Sequence, residues 1–349
     1  MAENPQQIID RNKDSMEYWE EINEKLKPWI DTNLNKTVLD LFAGCGGLSL
    51  GFEANGFKTI GYEMNENATK TYNKNLLGQC FNETLTIETE YPQADIVIGG
   101  PPCQPFSVGG KQLGLKDSRD GFPIFLSAIR QLNPEFLLFE NVRGILYKNK
   151  WYLMEVIAEL EELGYNLDYA IMNAKDYEVP QNRERVIVMG SKNKIKLPAK
   201  IDHKITAGQA LGELAFEFDD TSKFFNASMD RYVANYEKAS KCINPRDLYL
   251  DRPARTLTCR NLAGATGDMH RVRLKDGRRR RITVREAARL QSFPDWFEFI
   301  GTETNQYNQI GNAVAPYFAY HLAKNIKNYI NSTNIDEYIV TENEQLKLF

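Results

Sequence analysis

Between residues 36 and 190 the sequence alternates short apolar runs with longer amphipathic stretches, and this alternation constrains the fold more than any other feature. Apolar runs bounded by turn residues predict strands, and apolar residues spaced three or four apart predict helices. Parallel strands need crossover helices between them, so the pattern predicts an α/β fold with a doubly wound, mostly parallel sheet. The predicted strands are Lys36–Phe42, Lys58–Tyr62, Asp95–Ile98, Phe136–Phe139 and Val186–Met189, and the predicted helices are Leu48–Asn55, Asn65–Leu76, Ile124–Leu132, Trp151–Leu163, Thr283–Gln291 and Pro316–Tyr329.

The alternation lapses after Gly190, and residues 193–280 contain few long periodic runs. We interpret this region as a second, smaller domain. Helical patterns return after it, which predicts that the chain re-enters the larger domain beyond a hinge. The predicted organisation is an N-terminal extension at 1–35, a larger domain at 36–192 and 307–332, a smaller domain at 193–280, a hinge at 281–306 and a C-terminal tail at 333–349.

Charge is unevenly distributed along the chain. The net charge is −4, yet residues 241–290 contain fourteen Lys plus Arg against five Asp plus Glu, which gives +9 there and −13 elsewhere. Such an excess is typical either of a surface that binds a polyanion or of a solvated basic surface. A run of four arginines suits charge neutralisation, so we predict phosphate contacts for Arg278, Arg279, Arg280 and Arg281.

The five cysteines are scattered, without a CxxC pair, at Cys45, Cys80, Cys103, Cys242 and Cys259. This pattern argues against a disulfide framework or a zinc site and favours a reducing, cytoplasmic environment. No apolar run reaches the roughly 18 residues of a membrane helix, and the polar N-terminus is unlike a secretory signal. We therefore expect a cytoplasmic protein with neither a metal nor a membrane partner.

A glycine-rich turn follows the first predicted strand, in Asp40-Leu-Phe-Ala-Gly-Cys-Gly-Gly-Leu-Ser-Leu-Gly51. Glycines let a ligand approach the backbone, but the spacing is neither GxGxxG nor a phosphate-binding GK[ST] motif. Tyr62-Glu63 ends the second strand, where a carboxylate can accept hydrogen bonds from a ribose diol. A strand-to-helix turn without a ligand is the alternative, but the two features together favour a nucleoside cofactor.

Cys103 lies in Gly99-Gly-Pro-Pro-Cys-Gln-Pro-Phe-Ser107, just after a predicted strand. Open α/β sheets bind ligands at the carboxyl ends of their strands, and a stiff Pro-Pro turn can present a side chain at a fixed angle. A buried cysteine would serve only as a small apolar residue, whereas an exposed one can act as a thiolate nucleophile. The surrounding polar loop favours the second role.

Two further motifs stand next to strands. Phe139-Glu-Asn-Val142 places Glu140 at a strand end, where a carboxyl group can cap the surface or act as a general acid. Gln181-Asn-Arg-Glu-Arg185 precedes another strand, and its alternation would put Arg183 and Arg185 on one face. Taken alone, this second motif is more often a solvated edge strand.

In this order and spacing, the motifs resemble those of the DNA (cytosine-5)-methyltransferases of bacterial restriction-modification type. The resemblance covers about residues 38–330 and includes Arg281-Ile-Thr-Val-Arg-Glu-Ala-Ala-Arg-Leu-Gln-Ser-Phe-Pro294 and Gln309-Ile-Gly-Asn-Ala-Val-Ala-Pro316. It implies a Rossmann-like, S-adenosylmethionine-dependent methyltransferase domain and a smaller target-recognition domain, with double-stranded DNA between them. It also implies methyl transfer to C5 of a flipped cytosine in a specific sequence.

The resemblance further implies roles for individual residues. Cys103 adds to C6 of cytosine, Glu140 assists at N3, and Arg185, with Arg183 nearby, steadies the base. The implied cofactor-binding residues are Phe42, Ala43, Gly44, Gly46, Gly47, Leu48, Glu63, Met64, Pro101, Asn312 and Val314. The implied DNA-contacting residues are Gln104 and Ser107, in a loop from Gln104 to Asp120 that closes over the DNA, and Gln181, near the flipped base. Many members carry an aromatic residue at the position of Met64.

Two alternatives are open at this point. A tRNA cytosine methyltransferase of the same family would share these motifs, and methyl incorporation into duplex DNA or into tRNA separates the two. A catalytically silent DNA-binding homologue is disfavoured, because Cys103, Glu140 and Arg185 are all present. We expect a monomer that releases S-adenosylhomocysteine and is functionally paired with a restriction endonuclease.

Overall fold

The computed structural model describes residues 16–102, 120–239, 247–264 and 268–332, apart from the side chain of Lys148. The strands are β1 Thr37–Leu41, β2 Lys58–Glu63, β3 Gln79–Asn82, β4 Ile96–Gly99, β5 Phe136–Val142, β6 Asn166–Asn173, β7 Gln181–Asn182, β8 Glu184–Ser191, β9 Ala254–Arg255, β10 Arg271–Arg273 and β11 Arg279–Arg281. The helices are α1 over 16–25, α2 Gly47–Glu53, α3 Glu66–Asn75, α4 Phe122–Leu132, α5 Ile145–Lys148, α6 Lys150–Glu162, α7 Ala207–Leu211, α8 Ala227–Ala239, α9 Cys259–Ala263, α10 Val284–Leu290, α11 Glu303–Asn312 and α12 Pro316–Asn331.

Seven strands form one sheet in the order β3-β2-β1-β4-β5-β8-β6, and two-stranded pairs join β7 to β9 and β10 to β11. The large sheet is parallel from β3 to β5, and β8 runs antiparallel between β5 and β6. Strand order reverses where β1 meets β4, and such a reversal opens a crevice at the carboxyl ends of the two strands. The glycine-rich turn after β1 and the segment after β4 therefore lie at one edge. The predicted α/β fold is confirmed.

Alternate residues of the central strands face two apolar layers. In β4, Ile96 and Ile98 belong to one buried cluster and Val97 to the other, and β5 alternates in the same way. Helices α2 and α12 cover one face of the sheet, and α4 and α6 cover the other. Within the described ranges, no helix combines the length and apolar character needed to cross a membrane.

Two strands of the large sheet were not predicted, and both lie at its edges. In β3 only Cys80 is buried, and in β6 only Ala170 and Met172 are buried. An edge strand packs on fewer neighbours, so it needs fewer apolar residues than a central one. Their sequences therefore lack the apolar runs that identify the central strands.

The described part of the predicted N-terminal extension is the helix α1, which packs into the core. Trp19 is buried in the same apolar cluster as α12, and its indole donates a hydrogen bond to the Ala210 carbonyl. The carbonyl of Asn23 accepts a hydrogen bond from the Trp296 indole at 3.1 Å. Helix α1 thus connects segments from the predicted smaller domain and from the predicted hinge.

The described parts of residues 193–280 share a core with the sheet. Ala207, Leu257 and Val272 from this region belong to the same apolar cluster as α2 and α12. Because its few buried apolar residues come from short, separated segments, the region shows no long hydrophobic period.

Ion pairs reinforce this irregular region. Arg271 is fully buried, and its guanidinium contacts Asp247 at 2.6 Å and Glu237 at 3.0 Å. Arg279 contacts the same Asp247 at 3.1 Å and Asp230 at 2.9 Å. A buried guanidinium is stable only when carboxylates or carbonyls satisfy it. Part of the basic excess of this region therefore serves folding.

Replacing Trp19 with Ala should lower the free energy of unfolding by about 3–5 kcal/mol, because it deletes a buried indole from the core. Urea denaturation followed by fluorescence measures the change. Met16→Ala in the same helix is the control, since Met16 is largely exposed and should change stability by no more than about 0.5 kcal/mol. Equal effects of the two substitutions would show that α1 does not stabilise the core.

Candidate active site

The turn after β1 adopts backbone conformations that restrict its sequence. Phe42, Gly44 and Gly46 have positive φ angles of 60°, 57° and 90°. A Cβ at Gly46 would approach the Tyr72 ring to 2.8 Å, whereas one at Gly44 would meet nothing within 4 Å. The turn is therefore closed at Gly46 and open at Gly44, where a ligand can reach the backbone. A positive φ at a residue as bulky as Phe42 is typical of strained functional turns.

Glu63, at the end of β2, contacts this turn. One carboxylate oxygen accepts a hydrogen bond from the Gly44 N–H at 3.0 Å, and the other accepts from the Asn65 N–H at 2.7 Å. An ionised carboxylate offers about four acceptor positions, so capacity is left for the hydroxyl groups of a ligand. Met64 follows with its apolar side chain largely exposed.

The segment after α11 lies against the first turn of α2. A Cβ at Gly47 would lie only 2.4 Å from the Val314 carbonyl oxygen, so the close contact requires glycine. Asn312, two residues earlier, is exposed. The structure thus brings Ala313 and Val314 beside the glycine-rich turn, and Asn312 directly precedes them.

Glu140 and Arg185 face each other at the carboxyl edge of the sheet. Arg185 Nε lies 2.5 Å from Glu140 Oε1, and 12% of each side chain is exposed. The pairing of β5 with β8 positions them. Arg185 lies opposite Val142, and Val142 is two residues after Glu140, so Glu140 and Arg185 lie on the same face of the sheet. Arg185 also donates from Nη1 to the Glu184 carbonyl at 2.8 Å. A guanidinium has five N–H donors, so these contacts leave donors for a further partner next to Glu140.

The backbone that precedes Cys103 lies beside the Glu140–Arg185 pair. Asn141 donates from Nδ2 to the Pro101 carbonyl at 2.9 Å, and the Gly121 N–H donates to the Pro102 carbonyl at 2.9 Å. The two backbone segments on either side of residues 103–119 are therefore held together next to Glu140. Three predicted site residues lie outside the described residues, namely Cys103, Gln104 and Ser107.

Arg183 is buried, with 3% of its surface exposed. Its Nη1 donates to the Leu257 carbonyl at 2.8 Å, and its Nη2 donates to the carbonyls of Gly311 at 3.3 Å and Ala313 at 2.9 Å. Burial, together with the charge of Arg185, lowers the pKa of Arg183 to about 9, so the group is still charged at neutral pH. Arg183 binds backbone from two other parts of the chain, which suits a positioning role better than contact with a base.

Gln181, predicted to contact DNA, is completely buried. Its Nε2 donates to the Leu290 carbonyl at 3.2 Å and to the side-chain oxygen of Gln291, and its Oε1 accepts from the Leu257 N–H at 2.9 Å. Both ends of the amide are used inside the protein. A contact of Gln181 with DNA would therefore require these internal hydrogen bonds to break.

The four consecutive arginines have different surroundings. Arg280 is 1% exposed and forms contacts of 2.7 Å and 2.8 Å with the carboxylate of Glu286. Arg281 packs over the Tyr307 ring, 4.2 Å from its centre. A buried guanidinium that is paired with a carboxylate cannot reach DNA, so the predicted phosphate contact of Arg280 is wrong. Half of the Arg278 side chain is exposed, and this residue stays a candidate.

Sequence analysis missed three polar side chains that shape the site. Asn141 fixes the backbone before Cys103, and Gln291 donates to the Ala313 carbonyl at 2.7 Å. Asp40 lies under the glycine-rich turn and accepts a hydrogen bond from the Ser49 hydroxyl at 2.7 Å. Burial raises the pKa of Asp40 to about 7. An acidic residue inside an otherwise apolar strand was a signal for Asp40, whereas the two amides give no signal of burial.

In the part of the chain that the structure describes, no group of three or more His, Cys, Asp or Glu side chains could hold a metal ion. The polar groups gathered at this edge are hydrogen-bond donors and acceptors of the kind that bind a nucleoside and a base.

Solved structures share this fold. A putative DNA modification methyltransferase encoded within an Escherichia coli prophage aligns with a TM-score of 0.61 and 24% identity, over 85% of this chain and 100% of that one. A Spodoptera frugiperda DNMT2 variant aligns with a TM-score of 0.64 and 20% identity, over 84% of this chain and 100% of that one. These methyltransferase structures have the same α/β fold as this chain.

Sequence relatives define the family. The family model for C-5 cytosine-specific DNA methylases matches residues 36–328. The type II methyltransferase M.AplI of Arthrospira platensis is 52% identical over 338 residues, which are 95% of this chain and 98% of that protein. M.FnuDI of Fusobacterium nucleatum is 31% identical, over 89% of this chain and 99% of that protein. The chain belongs to the C-5 cytosine-specific DNA methylase family and is a DNA (cytosine-5)-methyltransferase.

Replacing Arg280 with Met should destabilise the fold rather than weaken DNA binding, because Glu286 would keep a buried charge without its partner. Breaking such a pair typically costs about 3–5 kcal/mol of unfolding free energy. Chemical denaturation and a DNA titration of the folded protein separate the two effects. Arg278→Ala is the control, with a stability change within about 1 kcal/mol because the residue is exposed. Wild-type stability of Arg280→Met combined with weakened DNA binding would restore the phosphate assignment.

Proposed function

We propose that this protein transfers a methyl group from S-adenosylmethionine to C5 of a cytosine that is flipped out of a specific double-stranded DNA sequence. The Glu140–Arg185 pair carries this proposal, because it lies at the sheet edge where the chain leads toward Cys103. An acid, a cation and a nucleophile at one edge are the groups that addition to a cytosine ring requires.

The proposed chemistry makes C5 of cytosine nucleophilic for a short time. The Cys103 thiolate forms a bond to C6 while Glu140 gives a proton to N3, so the ring becomes enamine-like at C5. S-adenosylmethionine, when bound, would supply an electrophilic methyl group for C5 and would leave as S-adenosylhomocysteine. Loss of the C5 proton to a water molecule, expulsion of the Cys103 thiolate and return of the N3 proton to Glu140 then restore the aromatic ring.

Arg185 has two tasks in this proposal. Its Nε holds Glu140 Oε1 in a fixed position, which leaves the second carboxyl oxygen for N3 and the exocyclic amine of the base. Its further N–H donors can bind O2 of the same base. Because β5 and β8 are central to the sheet, both side chains stand on rigid elements.

The target base must leave the DNA stack to reach this edge. Enzymes that modify a base within duplex DNA extrude it at a cost of a few kcal/mol. Asn141 holds the Pro101 carbonyl and the Gly121 N–H holds the Pro102 carbonyl, so the backbone is fixed up to the residue before Cys103. We propose that the extruded cytosine binds between this backbone and the Glu140–Arg185 pair.

The described residues fit S-adenosylmethionine. Open space at Gly44 lets a ligand approach the turn, and the Glu63 carboxylate has acceptor capacity for two ribose hydroxyls. Met64 offers an exposed thioether side chain next to Glu63, and Asn312 stands on the opposite segment. These residues would bind and orient the cofactor so that its methyl group faces the base.

We propose that residues 193–280 read the DNA sequence and that Arg278 contributes a phosphate contact. Half of the Arg278 side chain is exposed on the hairpin β10–β11, where its guanidinium contacts the similarly exposed Asp276 at 2.7 Å and could exchange that contact for a phosphate, whereas Arg280 is 1% exposed. The relatives are named type II methyltransferases, which supports the expected pairing with a restriction endonuclease.

Cys103→Ala should abolish methyl transfer, because no other group can form the bond to C6. The fold and DNA binding should survive, since the substitution removes one sulfur atom. Methyl incorporation from labelled S-adenosylmethionine and thermal unfolding report the two properties. Cys80→Ala, a substitution elsewhere in the sheet, should keep turnover. Normal turnover by Cys103→Ala would refute the proposed mechanism.

Glu140→Gln should lower the rate of methyl transfer by about 10²–10⁴, the usual contribution of a general acid. DNA affinity should change far less, because Gln keeps the shape and an oxygen that accepts from Arg185. Single-turnover kinetics and a binding titration separate the two effects.

The control is Glu135→Gln at the other end of the same strand, where Glu135 contacts Lys36 at 2.7 Å. It should leave both properties unchanged. A Glu140→Gln enzyme that binds DNA weakly but reacts at the normal rate when saturated would show that Glu140 only positions the base.

A further inference from the structure

Helix α9, in the predicted smaller domain, packs directly on the end of α11. A Cβ at Gly311 would lie 2.5 Å from the Cys259 backbone nitrogen, so only glycine allows this approach. Thr258 caps α9 through a capping box with Asn261, which fixes where the helix begins. The first residue of α9, Cys259, is therefore held against the segment that follows Gly311.

The Cys259 thiol contacts the side chain of Asn312. Its Sγ lies 2.9 Å from Asn312 Oδ1 and 3.5 Å from the Asn308 carbonyl oxygen. Burial raises the pKa of Cys259, so the sulfur carries its proton at neutral pH. A thiol has one hydrogen to donate, and the shorter contact directs it to Asn312.

This contact determines what Asn312 presents to a ligand. A carboxamide has one acceptor oxygen and an amino group with two donors. With Oδ1 engaged by the thiol, the amino group is the part of this exposed side chain left for a ligand. Asn312 thus becomes a donor of fixed orientation.

The backbone on either side of Asn312 is fixed independently. Arg183 donates to the carbonyls of Gly311 and Ala313, and Gln291 donates to the same Ala313 carbonyl. The side-chain torsions of Asn312 are then the main freedom left in this segment, and the Cys259 contact restricts them. Fixing a side chain before a ligand arrives reduces the entropy that binding must overcome.

We infer that Cys259 is a positioning residue for the S-adenosylmethionine site, which it serves by holding the Asn312 amino group toward the cofactor. The inference rests on the proposed function, and it places one residue of the predicted smaller domain in support of the cofactor pocket. It follows from the position of Ala313 and Val314, the residues after Asn312, against Gly47 at the start of α2 and next to the glycine-rich turn. Cys259 takes no part in the chemical step.

The test compares Cys259→Ala, which lacks a donor, with Cys259→Ser, which keeps one. Titration calorimetry with S-adenosylmethionine and the full-length enzyme should show binding weakened about three- to tenfold in Cys259→Ala, the usual effect of one lost hydrogen bond. Cys259→Ser should bind almost as well as the wild type. The kcat at saturating cofactor should be unchanged in both variants, so only KM for the cofactor moves.

A double-mutant cycle excludes a general structural effect. In an Asn312→Ala background, Cys259→Ala should weaken binding no further, because the partner of the thiol is already gone. Equal affinities of the wild type and Cys259→Ala, or additive losses in the double variant, would overturn the inference while leaving the proposed function intact. A wild-type enzyme that binds no S-adenosylmethionine would overturn both.

Discussion

One buried guanidinium connects the main parts of this molecule. Arg183 stands just before β8 and binds the carbonyls of Leu257, Gly311 and Ala313. A charge in the protein interior is costly unless hydrogen bonds satisfy it, and three carbonyl oxygens supply them here. The arrangement is mutual, because the arginine donates to the Leu257 and Gly311 carbonyls and shares the Ala313 carbonyl with Gln291. Arg183 therefore joins the start of β8 to Leu257 of the predicted smaller domain and to the backbone at Gly311 and Ala313.

The spacing of the Gln-x-Arg-x-Arg motif follows from this arrangement. Gln181 extends the buried network to Leu257 and Gln291, and Arg183 forms its centre. Two residues further on, Arg185 reaches the sheet edge and pairs with Glu140. Gln181 and Arg183, which bind other parts of the protein interior, and Arg185, which is proposed to bind the base, are thus alternate residues of one short segment. The geometry of the active site depends directly on the packing beneath it.

The sequence predicts the centre of the fold well because central strands carry near-continuous apolar runs, whereas the edge strands β3 and β6 do not. The order of the motifs also predicts Glu140 and Arg185, which the structure brings together. It does not separate Arg280 from Arg278, because Arg278 precedes the first residue of β11, Arg279, and a run of like charges hides which member is buried. Arg280 is buried because it pairs with Glu286. Glu286 lies in helix α10, and the sequence does not show that this helix packs against the hairpin.

The central claim is methyl transfer to cytosine in a specific duplex sequence. Bisulfite sequencing of a plasmid incubated with the protein and S-adenosylmethionine tests it most directly, with unmodified tRNA treated in parallel. The account predicts that cytosines in one sequence context of the plasmid resist conversion, while the tRNA is converted throughout. A plasmid in which every cytosine is converted, or protection confined to the tRNA, would contradict it.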